Sequence, residues 1–208
     1  SCGMERVRVW NDSGMPDKSG VGTYAEVLLE RWPNLPVEEE GRLNDPVLRE
    51  NFVERIFCRH RWRSLNRVGL SRARLIAFHT AHKMLLRAHN EAGYRRLGKL
   101  VASFGQRPDA EIFAEYEDEF FAILKRRATV KRHVNVLQHA IGYLKEHIDG
   151  PDRRELLGLI EDYRNNLVPL VVPITMLRHY VHRHHVPYLV GQIYLEPHPK
   201  ELMLRNRV

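Results

Sequence analysis

Disulfides, membrane spans and internal repeats are all missing from this 208-residue chain, and each absence narrows what it can be. Only two cysteines occur, Cys2 and Cys58, too few for a disulfide framework. No apolar run approaches the roughly 18 residues that a membrane helix needs. The longest candidate, Leu167 to Met176, is about half that length and holds Pro169 and Pro173. The opening residues are polar and charged rather than a cleavable leader. No low-complexity tract is present. Together these absences point to a soluble, cytoplasmic chain with no membrane role. Hydrophobic residues make up 43% of it, enough to build a packed core.

What is present is positive charge, unevenly placed. Ser1 to Arg63 carries 10 Lys/Arg against 11 Asp/Glu, whereas the rest carries 23 against 15, and the whole chain has net charge +7. A near-neutral opening and a basic remainder suggest two units with different partners. A basic helical unit suits a polyanion, because neutralising phosphates releases counterions. A solvated surface with excess arginine is the plainer alternative.

The pattern of apolar residues predicts a mainly α chain, a helical bundle preceded by an α/β remnant. Met4 to Trp10 alternates like a strand, and Asn11 to Gly22 is rich in turn residues. Thr23 to Trp32 reads as a helix, Leu35 to Glu38 as a short strand. Asp45-Pro46 is a strong helix start, a capping carboxylate followed by proline at the first helical position. That helix is expected to reach about Arg63, with Ser64 to Gly69 as the linker between units. Five further helices follow, over 71–89, 91–103, 110–127, 129–148 and 174–185, with one more beginning at Asp152 after a Gly150-Pro151 stop. Val186 to Val208 has no single period.

Two helices carry the residues of most chemical interest. On the Ser71 helix, His79, Lys83 and Arg87 form an i, i+4, i+8 row, a positive stripe. His82 and His89 fall nearer the apolar side and read as core-rim histidines. On the Thr129 helix, Val130, Val134, Leu137, Ile141, Leu144 and Ile148 form the apolar stripe. Lys131, Asn135, Gln138, His139 and Gly142 share another face. Asn and Gly are poor helix formers, so their presence there favours contact with phosphate, 2′-hydroxyl or base edges over a merely solvated face. Arg178, His179, His182, His184 and His185 crowd the last long helix; a cationic RNA-facing helix, a metal site and a polar helix end all stay open. Tyr188, Gln192, Tyr194 and the pair Arg205-Asn206 offer stacking and hydrogen bonds, or a tail packed on the bundle. Cys58, inside a helix, reads as a packed and inert thiol.

These residues together resemble two known families. Ser1-Cys2-Gly3, Gly20-Val21-Gly22 and the run from Leu35 to Phe52 look like the second half of the thiouracil desulfidase (TudS-like) domain, here over residues 1–66. From residue 70 to 208 the chain resembles the YbgA-like domain, through Phe78-His79, His82-Lys83, His89, His133, Gln138-His139, Gly142-Tyr143, Val168 to Ile174, Leu177 to Tyr180, Gln192, Tyr194-Leu195 and Leu204-Arg205-Asn206. The resemblance implies a 4Fe-4S cluster held by three cysteines, with one iron open to the sulfur of a thiolated pyrimidine. It makes Cys2 the one cluster ligand present, and Ser1 a catalytic neighbour of the substrate. Fused to a YbgA-like domain, such proteins are similar to tRNA 4-thiouridine desulfidases, whose helical domain grips tRNA. The other two cysteines and a catalytic glutamate of that family would precede Ser1, so this polypeptide alone is expected to lack desulfidase activity and a bound cluster, and to need the missing half as a partner. The expected tRNA contacts are His79, Lys83, Arg87, Lys131, Asn135, Gln138, His139, Arg178, His182 and Arg205. A non-enzymatic protein-binding adaptor and a histidine-based metal domain are the rival readings.

Overall fold

The computed structural model describes residues 7–10, 13–20 and 23–207, and within them the chain is mainly α. A small antiparallel hairpin comes first: β1 (Val7–Trp10) pairs with β2 (Pro16–Gly20), with Trp10 opposite Pro16 and Val9 opposite Asp17. The return strand occupies part of the stretch expected to be all turn; backbone pairing holds it, not an alternating side-chain pattern. Helix α1 (Thr23–Arg31) follows, and the short strand expected at Leu35 to Glu38 is not formed. That stretch is tied to the bundle through Asn34 and Pro33, which meet Asp118 and Lys125 at 2.9 and 3.3 Å.

Helix α2 (Pro46–Val68) starts where its signals say: Asp45 Oδ1 accepts the Val47 and Leu48 amides at 2.8 and 3.2 Å. It does not stop near Arg63. Helical hydrogen bonding continues through the polar residues and ends at Gly69, whose φ of 95° suits a residue without Cβ. The expected linker is therefore mostly helix. The junction is a tight turn into α3 (Arg72–His89), capped by Ser71. Among the described residues, one buried cluster spans the junction. Cys58 and Trp62 of α2 share one buried cluster with Phe78 of α3 and with Tyr116 and Phe120 of α5 (Asp109–Leu124). Trp62 lies parallel to Tyr116 at 5.7 Å and edge-on to Phe78 at 5.3 Å.

Helix α4 (Glu91–Ala102) turns back after Asn90 and packs on α3 and α5. Helix α6 (Val130–Leu144), capped by Thr129, packs against α3, α7 (Gly150–Arg164) and α8 (Val171–His184). Its predicted stripe is the buried face: Val134, Leu137, Ile141 and Leu144 are all interior. The Gly150-Pro151 pair opens α7 rather than preceding it. Asp149 caps that helix through the Asp152 amide at 2.8 Å, and proline fits a first turn whose N–H groups have no intrahelical acceptor. Beyond α8 the chain runs through turns and two single-turn 3-10 helices, Lys200–Leu202 and Leu204–Asn206, and returns to the start of α2. No helix among the described residues is long and apolar enough to cross a membrane.

Candidate nucleic-acid interface

Helices α3 and α6 lie against each other and each presents one polar face beyond the contact. On α3 the spacing of four puts His79, Lys83 and Arg87 in a row, while Leu75, Phe78, His82, Leu85, Leu86 and His89 turn inward. On α6, Lys131, Asn135, Gln138 and Gly142 are exposed and His139 is half-buried. A Cβ built at Gly142 would meet nothing within 4 Å, so no packing constraint demands glycine there.

The two faces are bridged by aromatic rings. Lys83 donates from Nζ to the Tyr188 hydroxyl and also lies over that ring, 4.8 Å from its centroid. Tyr188 stacks on Tyr143 of α6 at 4.0 Å and 20°. The Tyr143 hydroxyl meets His139 Nε2 at 3.3 Å, with the two rings perpendicular. Arg87 stands beside this group and pairs with Glu91 at 2.7 Å. Burial, then the charges of Arg87 and Lys83, push the His139 imidazole below its ordinary pKa. Among the described residues Lys83 has no carboxylate partner. The result is a half-exposed stack of two tyrosines flanked by cations, a surface suited to a flat ring and a phosphate.

Tyr188 reaches this place because the segment after α8 is clamped onto α3. Gln192 is buried; its Nε2 donates to the Thr80 carbonyl at 2.9 Å, and the Ile193 amide donates to the Ala81 carbonyl at 2.9 Å. Tyr188 was expected only as a C-terminal stacking aromatic, with no partner named, and Tyr143 was not among the expected tRNA contacts. Tyr143 carried a signal, being four residues from His139 on the same helix; nothing local to Tyr188 places it beside Lys83.

The remaining expected contacts divide. His79 is in the row, but its Nδ1 meets the buried Tyr116 hydroxyl at 3.1 Å and its ring lies parallel to Tyr94. Burial and the nearby Lys83 push its pKa down to about 4, so it is a neutral ring at physiological pH and adds no charge. Arg178 pairs with Glu196 on the wall of a cleft near the C-terminus, and His182 is exposed one turn further along α8. Arg205 is a correction: it is buried, not a surface contact. Its Nε donates to Glu50 at 2.7 Å, its Nη1 to the Tyr194 carbonyl at 2.6 Å, and its Nη2 faces Glu54 at 3.5 Å. A guanidinium so far from water is held by those two carboxylates. Tyr194 is likewise interior, bonded through its hydroxyl to His133 Nδ1 at 3.0 Å.

Ser1 and Cys2 lie outside the described residues. Cys58 is fully buried among core side chains, and burial pushes its thiol pKa up, so it is no ready thiolate. Among the described residues no group of three or more His, Cys, Asp or Glu side chains is arranged to hold a metal ion. His82 and His89 are interior: His82 Nδ1 donates to the Phe78 carbonyl at 2.8 Å, and His89 Nε2 pairs with Glu54 at 2.6 Å.

Residues 83–199 match the family described as "Protein of unknown function (DUF1722)". The chain is also similar to "Uncharacterized protein YbgA" of Escherichia coli (strain K12), 34% identical over 153 residues that cover 73% of this chain and 90% of the relative. No solved structure matches it.

Proposed function

The chain belongs to the DUF1722 family, and on that premise we propose that it is an RNA-binding helical module that holds tRNA for a thiopyrimidine desulfidase. One observation carries this reading: the half-exposed Tyr143–Tyr188 stack, with Lys83 over the Tyr188 ring and left without a carboxylate, and Arg87 beside it. Stacked bases and backbone phosphates are the ligands that use both features at once. The net charge of +7 supports it.

The desulfidase assignment rests on the resemblance of the opening residues to a TudS-like domain. In it Cys2 would give a 4Fe-4S cluster one thiolate and Ser1 would stand by the substrate. The chain does not supply a ligand set by itself, because its other cysteine, Cys58, is sealed in the core. Three cysteine ligands are needed for the open-iron cluster that the resemblance implies. The role we assign to these 208 residues is therefore the grip on RNA, with the cluster chemistry depending on cysteines supplied from outside them.

The test is a filter-binding titration with unfractionated tRNA at several salt concentrations. Affinity is expected to fall by orders of magnitude between about 50 and 200 mM salt if about six phosphates are neutralised. Lys83→Ala should reduce the slope by about one counterion. Binding that ignores salt, or no binding at low salt, would sink the reading and favour a protein-binding adaptor.

A further inference from the structure

A cleft of about 460 Å³ lies between α2, α8 and the C-terminal turns, away from the tyrosine stack. Its walls are apolar where Phe57, Ile174 and Leu195 line it, and cationic where Arg61, Arg178 and Lys200 do. Among the described residues, five buried side-chain nitrogens or oxygens have no hydrogen-bond partner. Three of them belong to residues lining this one cleft: Arg61 Nη1, Arg178 Nε and His198 Nε2. His198 Nε2 faces Glu50, whereas Arg61 and Arg178 keep donor capacity that no neighbouring side chain or carbonyl uses, on residues that line the cleft.

The surroundings say what ligand would use it. Arg61 is held in place by donating from Nη2 to the Pro197 carbonyl at 2.6 Å and by the Phe57 ring beneath it. Arg178 uses Nη2 on Glu196, whose carboxylate stands at the rim, more than half exposed. His198 has a side chain 5% exposed; Nδ1 donates to the Pro199 carbonyl at 3.2 Å, and Nε2 stops 4.0 Å short of Glu50. Arg205 at the back of the cleft is already matched by Glu50 and Glu54. Setting Glu196 against Arg178 leaves Arg61 and Lys200 uncompensated, two positive charges facing one cavity. A phosphomonoester dianion matches that charge and the forked geometry of guanidinium donors better than a carboxylate does. A cavity of this size with apolar walls holds a body as large as a nucleoside.

We propose that this cleft binds a phosphomonoester of mononucleotide size, with Arg61 and Arg178 holding the phosphate and the apolar wall holding the rest. The site is independent of the RNA surface on α3 and α6. The phosphomonoester has two sources, a free small molecule or the 5′ end of an RNA chain, and one experiment separates them. Titration calorimetry uses 5′-AMP, inorganic phosphate, and adenosine as the phosphate-free control. Binding of AMP and phosphate but not adenosine is expected, with AMP affinity reduced roughly tenfold or more in Arg178→Gln and in Arg61→Gln. Arg178 is at the edge of the cleft and its replacement is expected to fold; should Arg61→Gln unfold, Arg178→Gln carries the test. A 5′-phosphorylated decaribonucleotide is then compared with its 5′-hydroxyl twin. A gain from the phosphate that AMP competes away identifies a chain end; equal binding of the two, with AMP bound, identifies a free small molecule. No binding of AMP or phosphate up to about 10 mM, or equal AMP affinity in wild type and Arg178→Gln, overturns the proposal.

Discussion

Helices α3 and α6 each feed two polar clusters, and the two clusters solve opposite problems. Inside, His89 of α3 and His133 of α6 join Glu50, Glu54, Tyr194 and Arg205. Outside, Lys83 and Arg87 of α3 join His139 and Tyr143 of α6 and the incoming Tyr188. Both use histidine, tyrosine and a long cation. The inner one brings its own anions; the outer one has a carboxylate for Arg87 but none for Lys83. A cluster closed on itself specifies a fold, whereas one left open to a foreign anion is available for binding. The difference is set by α2, which delivers two glutamates to the inside and nothing to the outside.

The comparison predicts that the inner cluster fails on folding and the outer one on binding. The largest effect is expected from Arg205→Met, which leaves Glu50 buried without its guanidinium and Glu54 with His89 alone, and should cost about 3–5 kcal/mol in urea denaturation. A cost under about 1 kcal/mol would mean that the network is not what closes the core.

Acid should act next. Burial pushes His82 and His133 down to about 3, so between the ordinary value of 6.5 and those values the unfolded chain binds the extra protons. Stability therefore falls as pH falls below about 6.5, by about 2 kcal/mol for each of the two by pH 5. His89 works the other way: burial lowers its pKa, but Glu54 raises it further, so its contribution is full below 6.5 and is lost only as pH rises through the folded value. Unchanged urea midpoints at pH 7 and pH 5 would contradict the pair assignment.

On the outer cluster, the double change Tyr143→Ala with Tyr188→Ala should lower tRNA affinity by about 1–3 kcal/mol per base that stacks. Circular dichroism should show the helices retained. The smallest effect is expected from Gly142→Ala, which should raise stability by about 0.5–1 kcal/mol, because glycine is a poor helix former and no neighbour opposes the added methyl. Loss of tRNA binding in that stabilised variant would show that the backbone at 142 is approached by the ligand; unchanged binding would confine the interface to the tyrosine side.

The helix starts were legible because Asp45, Ser71 and Thr129 act through neighbours two or three residues away, and such signals survive in one dimension. The α6 stripe and the α3 row were legible for the same reason, a fixed local spacing. The last turns of α2 were not, since Ser64 to Val68 lacks a stripe and is helical by continuation. Arg205 looked like a surface contact because its polar neighbours suggest solvent; what buries it are glutamates 155 and 151 positions away. Tyr188 was missed as a partner of Lys83 across 105 positions, a meeting made by the Gln192 clamp rather than by either residue's surroundings.

That long reach from α2 to Arg205 has a consequence for synthesis. While the chain is being translated, α2 emerges early with two glutamates: Glu54 can meet His89 once α3 follows, but Glu50 waits for Arg205 to leave the ribosome. Helices can form along the way, but the inner cluster closes only at the end, so the domain stays open and vulnerable to proteolysis until its final turn arrives.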